Sequence, residues 1–274
     1  MPVVDKNVVY QDDFSNPGSG WPSQKFDNYF VGYHAPGYFH FDLRSPNDHF
    51  LVPIPGKTSF DDITIEAQVF VDINNTAADG DFRYGTVFRR SGSQFYAFVI
   101  SPRSKKWYVL KSSPTALEVL KEGADDSLQG PEVENTLRVD VKGQTFYLHI
   151  NNHLVGEASD SDYAKGEVGL FVQTLDIVHV HVHFDLFTLR QIDVPLICTV
   201  SVERLNVRSG PSTASGPPIA SLSYGTRLEA QGRSADGQWL RIGVEASSQQ
   251  GWVNYTDKLL SCTSATADLP VVVP

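Results

Sequence analysis

The 274-residue sequence contains one methionine and two cysteines, and it has no long apolar run. A membrane helix needs roughly 18 apolar residues in succession, so we expect no membrane span in this chain. The first residues lack a basic segment followed by an apolar one, so an export signal, if the protein has one, is expected outside this sequence. Common enzyme signatures are also missing, namely G-x-S-x-G, H-E-x-x-H and a phosphate-binding loop.

Basic residues are outnumbered, with 22 Lys and Arg against 32 Asp and Glu and a net charge of -10. The excess lies in residues 1–193, which carry 16 basic and 26 acidic residues, whereas the remainder carries 6 of each. An acidic surface repels phosphate backbones, so nucleic acid is not expected as a partner. Acidic loops can instead bind hard cations such as calcium.

The two cysteines, Cys198 and Cys262, bracket one compositionally distinct segment. A disulfide between them would close a loop of about 65 residues and, in the chain-entropy model, stabilise a small domain by roughly 4 kcal/mol. Disulfides persist in oxidising compartments, so this pairing favours an extracellular or cell-surface location. The alternative is two buried free thiols in a cytosolic protein.

Helical periodicity is almost absent, and short stretches of period two are frequent. Apolar residues alternate with polar ones in residues 62–71, and the pattern recurs at 137–141 and 146–150. Lys142-Gly143 is a tight-turn signal, and Asn151-Asn152 turns the chain again because Asn tolerates positive φ. Many short strands at such spacing predict an all-β antiparallel sandwich or barrel. The first 60 residues, rich in Gly, Pro and aromatics, predict long loops and edge strands.

The strand pattern breaks at residues 193–195. We therefore predict one domain over residues 1–193 and a second over 194–262. Residues 263–274 have no periodicity, which indicates a linker or tail.

Four short strings between the cysteines carry a family resemblance. They are residues 204–211 (RLNVRSGP), 222–226 (LSYGT), 236–242 (DGQWLRI) and 251–253 (GWV). In this order and at this spacing they resemble the bacterial SH3 domain, SH3b. The resemblance implies a small SH3-like β-barrel that binds cell-wall peptides or serves as an extracellular interaction module. Trp239 and Trp252 are expected to fill its core.

Residues 8–190 resemble the concanavalin A-like jelly roll of the laminin-G-like branch. The matching pieces are residues 12–14, 20–21, 84–90, 96–100, 107–108, 166–171 and 184–185. The resemblance implies an antiparallel jelly-roll β-sandwich of the kind found in bacterial surface proteins and in the extracellular parts of receptor-like kinases. Such domains often carry one structural calcium ion, and Asp13 and Asp185 occupy the matching places. The alternative is that Asp13 caps a turn and Asp185 pairs with a neighbouring arginine.

Aromatic rings beside polar groups suit a glycan, because sugars present apolar C–H faces and hydroxyl edges. The candidate ligand-binding residues are Trp21, Tyr33, Tyr38, Tyr84, Arg90, Trp107 and Tyr108. For each aromatic residue, a place in the hydrophobic core is the competing interpretation. Trp107 and Tyr108 are adjacent on one predicted strand, so they must face opposite ways.

His179, His181 and His183 alternate with valines, so the three imidazoles project from one face of a strand. Residues two apart on a strand are roughly 6.5 to 7 Å apart, close enough for two of them to share a zinc ion. The alternative is a half-exposed sheet face packed beside Tyr and Arg.

We predict a non-catalytic extracellular binding or adhesion module that recognises a glycan or cell-wall polymer. One alternative is an assembly protein that binds other protein subunits at the cell surface. Another is a divergent glycoside hydrolase. Glucan-cleaving enzymes of this fold use a Glu-x-Asp-x-x-Glu strand, and the nearest string, residues 60–66, lacks the first Glu.

Overall fold

The chain divides into two compact units, Met1–Ile192 and Asp193–Pro274. The structure, a computed structural model, describes residues 7–56, 59–192, 196–244, 250–263 and 265–272. Within these ranges the regular structure is β-strand apart from two short 3-10 turns, so the all-β prediction is confirmed. None of their helical segments has the length and apolar character to span a membrane. Residues 193–195, where the sequence places the domain boundary, lie outside the described residues.

The first unit is a jelly-roll β-sandwich of two antiparallel sheets. Its described strands are β1 (Val8–Asp12), β2 (Gln24–Lys25), β3 (Tyr29–His34), β4 (Tyr38–Leu43), β5 (His49–Pro53), β6 (Ile63–Val71), β7 (Phe82–Ser91), β8 (Gln94–Ser101), β9 (Lys106–Ser112), β10 (Leu117–Ala124), β11 (Asn135–Lys142), β12 (Thr145–Ile150), β13 (His153–Ser159), β14 (Glu167–Thr174) and β15 (Val180–Gln191). A nine-stranded sheet runs β13-β12-β11-β6-β15-β4-β3-β2, with β1 also paired to β15. A six-stranded sheet runs β10-β9-β8-β7-β14-β5, and one apolar core lies between the two.

Alternate side chains of β6 point to the core and to the outer face of the sheet. Its five odd-numbered residues are all buried, and its even-numbered residues are half-buried on the outer face. There the Thr64 hydroxyl donates to the Asp140 carboxylate at 2.8 Å. A one-residue slip would move the whole apolar set to solvent, so the sequence pattern determines the register of this strand.

The turns predicted at Lys142-Gly143 and Asn151-Asn152 are confirmed. Strands β11 and β12 form a hairpin in which Lys142 pairs with Thr145, and Gly143 takes a φ of 53°. Asn151 and Asn152, with φ of 49° and 68°, turn the chain into β13. Asparagine is among the few residues that adopt this left-handed conformation readily.

The prediction of loops and edge strands for the first 60 residues is wrong for β4. This strand lies inside the nine-stranded sheet, between β15 and β3. Phe39 and Phe41 point into the core and are fully buried, whereas Tyr38, His40 and Asp42 lie on the outer face. A strand with polar residues on one face and aromatic rings on the other alternates as any half-buried strand does, and the surrounding Gly and Pro residues obscured it.

The second unit is a small barrel-like arrangement of short strands. Its described strands are β16 (Leu196–Val200), β17 (Arg204–Val207), β18 (Ala220–Ser223), β19 (Arg227–Arg233), β20 (Trp239–Val244), β21 (Gln250–Asn254) and β22 (Leu260–Cys262). Five form a sheet of order β21-β20-β19-β16-β22, and β17 pairs with β18. Cys198 and Cys262 face each other across β16 and β22 and form the predicted disulfide.

The predicted linker is structured over part of its length. Residues 266–268 form a 3-10 turn, and Leu269 packs against the core of the second unit. The backbone N–H of Val272 then donates to the Arg233 carbonyl at 2.9 Å. These residues therefore belong to the second unit, because Leu269 adds apolar surface to its core. The absence of periodicity in residues 263–274 gave no sign of this contact.

We expect loss of the disulfide to destabilise the second unit selectively. The Cys198→Ser/Cys262→Ser variant should lose about 4 kcal/mol of its unfolding free energy, since the unfolded chain regains the entropy of a long open loop. Amide hydrogen exchange of the full chain, followed by mass spectrometry, would measure this for β16–β22. Protection of β6 and β15 in the same sample is the control. Equal loss of protection in both units would contradict a stabilising effect that is confined to the second unit.

One charge network connects the six-stranded sheet to the loop after β13. The Asp160 carboxylate accepts hydrogen bonds from the Tyr96 hydroxyl and from Lys111 Nζ, the latter at 2.7 Å. Lys111 Nζ also donates to Asp162 at 2.6 Å. Burial tends to raise the pKa of Asp160, but the hydrogen bonds from Lys111 and Tyr96 outweigh it and lower that pKa below 3.8. The ionised carboxylate is therefore the form that stabilises the fold.

We expect Asp160→Asn to destabilise the protein at pH 7 by about 2 kcal/mol, since a hydrogen bond to a charged group contributes roughly 1.5–3 kcal/mol. A native pKa below the unfolded one means that the stabilisation is present above about pH 4 and is lost as pH falls through the native value. Urea unfolding at pH 7 and pH 3 would show a difference between variant and parent that shrinks at the lower pH. Asp162→Asn, at a far more exposed carboxylate, is the matched control, and a deficit for Asp160→Asn that is independent of pH would contradict the assignment.

Candidate functional site

Four of the candidate ligand-binding residues are core residues. Trp21, Tyr84, Trp107 and Tyr108 are 4%, 0%, 4% and 5% exposed. A ring enclosed in this way cannot stack on a sugar, so the prediction that these four form the binding surface is wrong. The buried Trp21 indole N–H donates to Asp12 at 3.0 Å.

The Trp107 ring shows why its strand neighbours must be small. It lies against Gly123 of β10 and Gly156 of β13, where a Cβ would come within 2.4 Å and 2.7 Å of the ring. The edge strand of each sheet, β10 in one and β13 in the other, therefore packs against this indole. Tyr108 faces the other way, as the alternation predicts, so the two neighbours serve different apolar clusters.

The other three candidates are half-buried and lie apart. The Tyr33 hydroxyl accepts from the Trp21 backbone N–H at 3.0 Å, which orders the loop before β2. Arg90 forms an ion pair with Glu167. Tyr38 stacks on His183, with ring centroids 5.1 Å apart, on the outer face of the nine-stranded sheet. The seven residues therefore do not form one site.

A second apolar cluster covers the outer face of the six-stranded sheet. This outer cluster consists of Val87, Phe95, Ala97, Val99, Tyr108, Leu110 and Phe171. The Arg83 guanidinium lies 3.8 Å above the Tyr108 ring centroid and donates to Gln173 at 3.4 Å. At one end of the cluster a depression of about 330 Å³ is lined by apolar Leu51 and Phe95 together with His49 and Ser112. Sequence reasoning missed this surface because β8 is apolar on both faces and shows no alternation.

Four imidazoles meet on the outer face of the nine-stranded sheet. This histidine cluster consists of His34 from β3, His40 from β4, and His181 and His183 from β15. Strand pairing sets it up, because His183 lies directly opposite His40 and β3 lies beside β4. Of the predicted row, His179 does not join, since its Nε2 lies 2.7 Å from Asp42 Oδ1. Sequence reasoning missed His34 and His40 because only the β4–β15 pairing, between strands far apart in the chain, brings them to the row.

Burial controls the protonation of His40 and His183. His40 and His183 are each 5% exposed, although they lie on an outer face, because aromatic rings including those of Phe30, Tyr38 and Phe70 pack against them. Burial, together with neighbouring histidines, lowers the pKa of His40 to about 3 and that of His183 to about 4. Both rings are therefore neutral at pH 7.

The second unit has its own depression, which we call the Trp252 depression. It has a volume of about 410 Å³ and is lined by Ser209, Ile219, Arg241, Gln250, Gly251, Trp252 and Val272. Trp239 and Trp252 are both buried, as expected of core residues, although neither belongs to the main apolar cluster of this unit. Among the described residues none accepts a hydrogen bond from the Arg241 guanidinium.

Backbone contacts hold one wall of the Trp252 depression. Arg208 and Trp252 exchange two backbone hydrogen bonds of 2.8 Å, and the Arg208 guanidinium donates to the carbonyls of Thr213 and Gly216. A Cβ at Gly251 would lie 2.9 Å from the Arg208 carbonyl, so glycine is required for this close approach. The RLNVRSGP string therefore positions the loop that borders the depression.

Residues 203–257 match the Bacterial SH3 domain family. The match lies within the second unit and includes Ser209, Arg241 and Trp252 of the Trp252 depression. The predicted resemblance is confirmed for this segment, which we now call the SH3 unit. No curated protein sequence matches the chain.

Several solved structures are similar to the first unit at low identity. The carbohydrate-binding module CBM66 from Bacillus subtilis is 19% identical, with a TM-score of 0.48, and the match covers 63% of this chain and 96% of the module. A Bacillus licheniformis beta-glucanase is 10% identical, with a TM-score of 0.49 and coverage of 69% and 100%. A Bacteroides ovatus GH16 protein is 13% identical, with a TM-score of 0.46 and coverage of 66% and 99%. Similarities of this size do not define a shared function.

Acidic residues before β6 and after β10 are held by backbone N–H groups. Asp61 accepts from the backbone N–H of Asp62, and Asp125 accepts from that of Ser127 at 2.7 Å, as in local turns. Asp62 accepts from the backbone N–H of Gly143 at 2.7 Å and so connects two distant loops. The lack of catalytic activity stays a prediction.

The calcium site stays a prediction as well. Asp13 Oδ1 accepts from the backbone and hydroxyl of Ser15, which fits the turn-capping alternative and leaves its second oxygen available. Asp185 lies at an irregularity in the β15–β6 pairing. Burial raises the pKa of the neighbouring Glu134, and the charge and hydrogen bond of Asp185 add to this effect. The donor set at Asp185 therefore contains two carboxyl groups, which is chemistry that calcium accepts.

We expect calcium to stabilise the first unit if Asp13 and Asp185 bind it. An ion at 100 times its dissociation constant adds about 2.7 kcal/mol, so thermal unfolding should shift upward with calcium and not with magnesium. Asp13→Asn and Asp185→Asn should each abolish the shift, and Asp27→Asn, at an exposed carboxylate, should keep it. If calcium leaves the melting curve unchanged, the predicted calcium site is contradicted.

Proposed function

We propose that this chain is a non-catalytic extracellular binding module that recognises a glycan or cell-wall polymer through the Trp252 depression of its SH3 unit. The observation that carries the proposal is the composition of this depression. It combines the exposed side chain of Ile219 with an arginine and two polar side chains around the buried Trp252, inside the segment that matches the bacterial SH3 family. Ligand sites are typically apolar surfaces with a few convergent polar groups.

The charge at this site suits an anionic polymer. Among the described residues none accepts a hydrogen bond from the Arg241 guanidinium, and a ligand carboxylate or phosphate can form a bidentate pair with such a group. Cell-wall polymers carry such groups together with sugar hydroxyls. The disulfide of the same unit supports an oxidising, extracellular location.

The first unit supplies a second candidate surface for the same function. The depression beside the outer cluster is lined by the half-buried Leu51, by the buried Phe95, and by His49 and Ser112. The apolar side chain of Leu51 beside polar groups also suits the C–H face of a sugar.

We expect Arg241→Ala to weaken binding to insoluble peptidoglycan or to an anionic cell-wall glycan by at least roughly tenfold, since a hydrogen bond to a charged group contributes about 1.5–3 kcal/mol. Arg204→Ala, at an exposed arginine of the same unit that does not line the depression, is the matched control. Co-sedimentation of the full chain and its two variants over a series of polymer concentrations measures the affinities.

Three other outcomes separate the alternatives. Equal binding by both variants would move the site away from the Trp252 depression. If the protein binds neither peptidoglycan nor the anionic glycan and self-associates in solution, an assembly role is favoured. Release of reducing sugar from a glucan would favour the hydrolase.

A further inference from the structure

The histidine cluster contains buried nitrogens that nothing in the described structure satisfies. Neither ring nitrogen of His40 has a hydrogen-bond partner, and Nδ1 of His183 has none. A buried polar atom without a partner costs about 1–3 kcal/mol. Such a cost is rarely kept in a native structure unless a ligand, an ion or a function accounts for it.

Imidazole nitrogens of the cluster also lie close to one another. One nitrogen each from His34, His40 and His183 lie within 4.8 Å of one another. Nε2 of His181 lies 3.1 Å from Nε2 of His183. Two ligands of one tetrahedral zinc, with Zn–N bonds of 2.0–2.1 Å, are about 3.3 Å apart, so this pair is already near ligand geometry.

A carboxylate lies near the second ring nitrogen of His181, at ion-pair rather than hydrogen-bond distance. Its Nδ1 lies 3.9 Å from Asp72 Oδ2, on the side of the ring away from His183. Asp72 is itself held by Asn74 and Asn75 at the turn after β6. Metal-bound histidines usually donate their second ring N–H to such a carboxylate, which orients the ring.

We propose that the histidine cluster binds one Zn²⁺ ion. His34, His40 and His183 supply three nitrogens, and His181 is placed to supply the fourth. A set of imidazoles without a thiolate or carboxylate suits zinc, which accepts a tetrahedral set of nitrogen ligands. The exposed His34 leaves the cluster reachable from solvent.

The ion would connect three neighbouring strands on the outer face of the sandwich. His34 lies on β3, His40 on β4 and His183 on β15, so one ion joins β15 to two strands that are distant from it in sequence. One nitrogen of His40, which has no hydrogen-bond partner, would become a ligand of the ion. The site is separate from the proposed polymer-binding depression, which belongs to the SH3 unit.

The test uses the full chain without a histidine tag, freed of metal by chelator and then dialysed. Isothermal titration with zinc chloride should give one site per chain, and Co²⁺ in its place should give the visible absorption of a tetrahedral complex. His34→Ala and His183→Gln should each weaken zinc binding by at least roughly tenfold, the lower limit that even an outer-shell partner contributes. His34 is exposed, so its variant keeps the fold, as thermal unfolding in chelator would show.

His179→Gln is the matched control, because His179 precedes the same strand but contacts Asp42 instead of the cluster. It should bind zinc like the parent. The proposal is overturned if the parent shows no stoichiometric binding, if His34→Ala and His183→Gln bind like the parent, or if His179→Gln loses binding to the same degree. In the last case the ion would belong to the His179–Asp42 end of the sheet.

Discussion

Strand β15 holds the first unit together, because it pairs with three other strands. Its first half pairs with β4, its second half with β1, and β6 lies along its other side. Val182 and Phe184 project into the core, and the intervening His183 projects outward. The burial that holds the strand in register therefore also sets the position of the imidazoles, and a slip by one residue would exchange them.

Each sheet of the sandwich has an outer face that is partly closed. On the nine-stranded sheet aromatic rings pack over neutral histidines, and on the six-stranded sheet Arg83 lies over Tyr108 of the outer cluster. Outer sheet faces usually carry polar residues in contact with water. Here both outer faces contain buried side chains that do not belong to the core between the sheets. The histidine cluster lies on the outer face of the nine-stranded sheet, and the depression beside the outer cluster lies on that of the six-stranded sheet.

The two units reach stability by different means. The first buries a large core of aromatic and aliphatic side chains between two sheets. The second has a smaller core and adds a disulfide between β16 and β22. Small domains bury a lower fraction of their surface, so a covalent link contributes proportionally more to them. The Trp252 depression is bordered in part by a residue after the disulfide, Val272.

Local sequence patterns were sufficient to predict the all-β fold class, the turns and the family that the second unit matches. Alternation in β6, the turns at Gly143 and Asn151, and the strings around Trp252 depend only on neighbours in sequence, so the sequence alone determined them. Only the tertiary structure decided which aromatic rings are buried, since Trp21 and Trp107 are enclosed by segments distant from them in the chain. The same holds for the histidine cluster, because the pairing of β4 with β15 joins His40 to His183 across more than half of the chain, and pairing over such distances leaves no local signal.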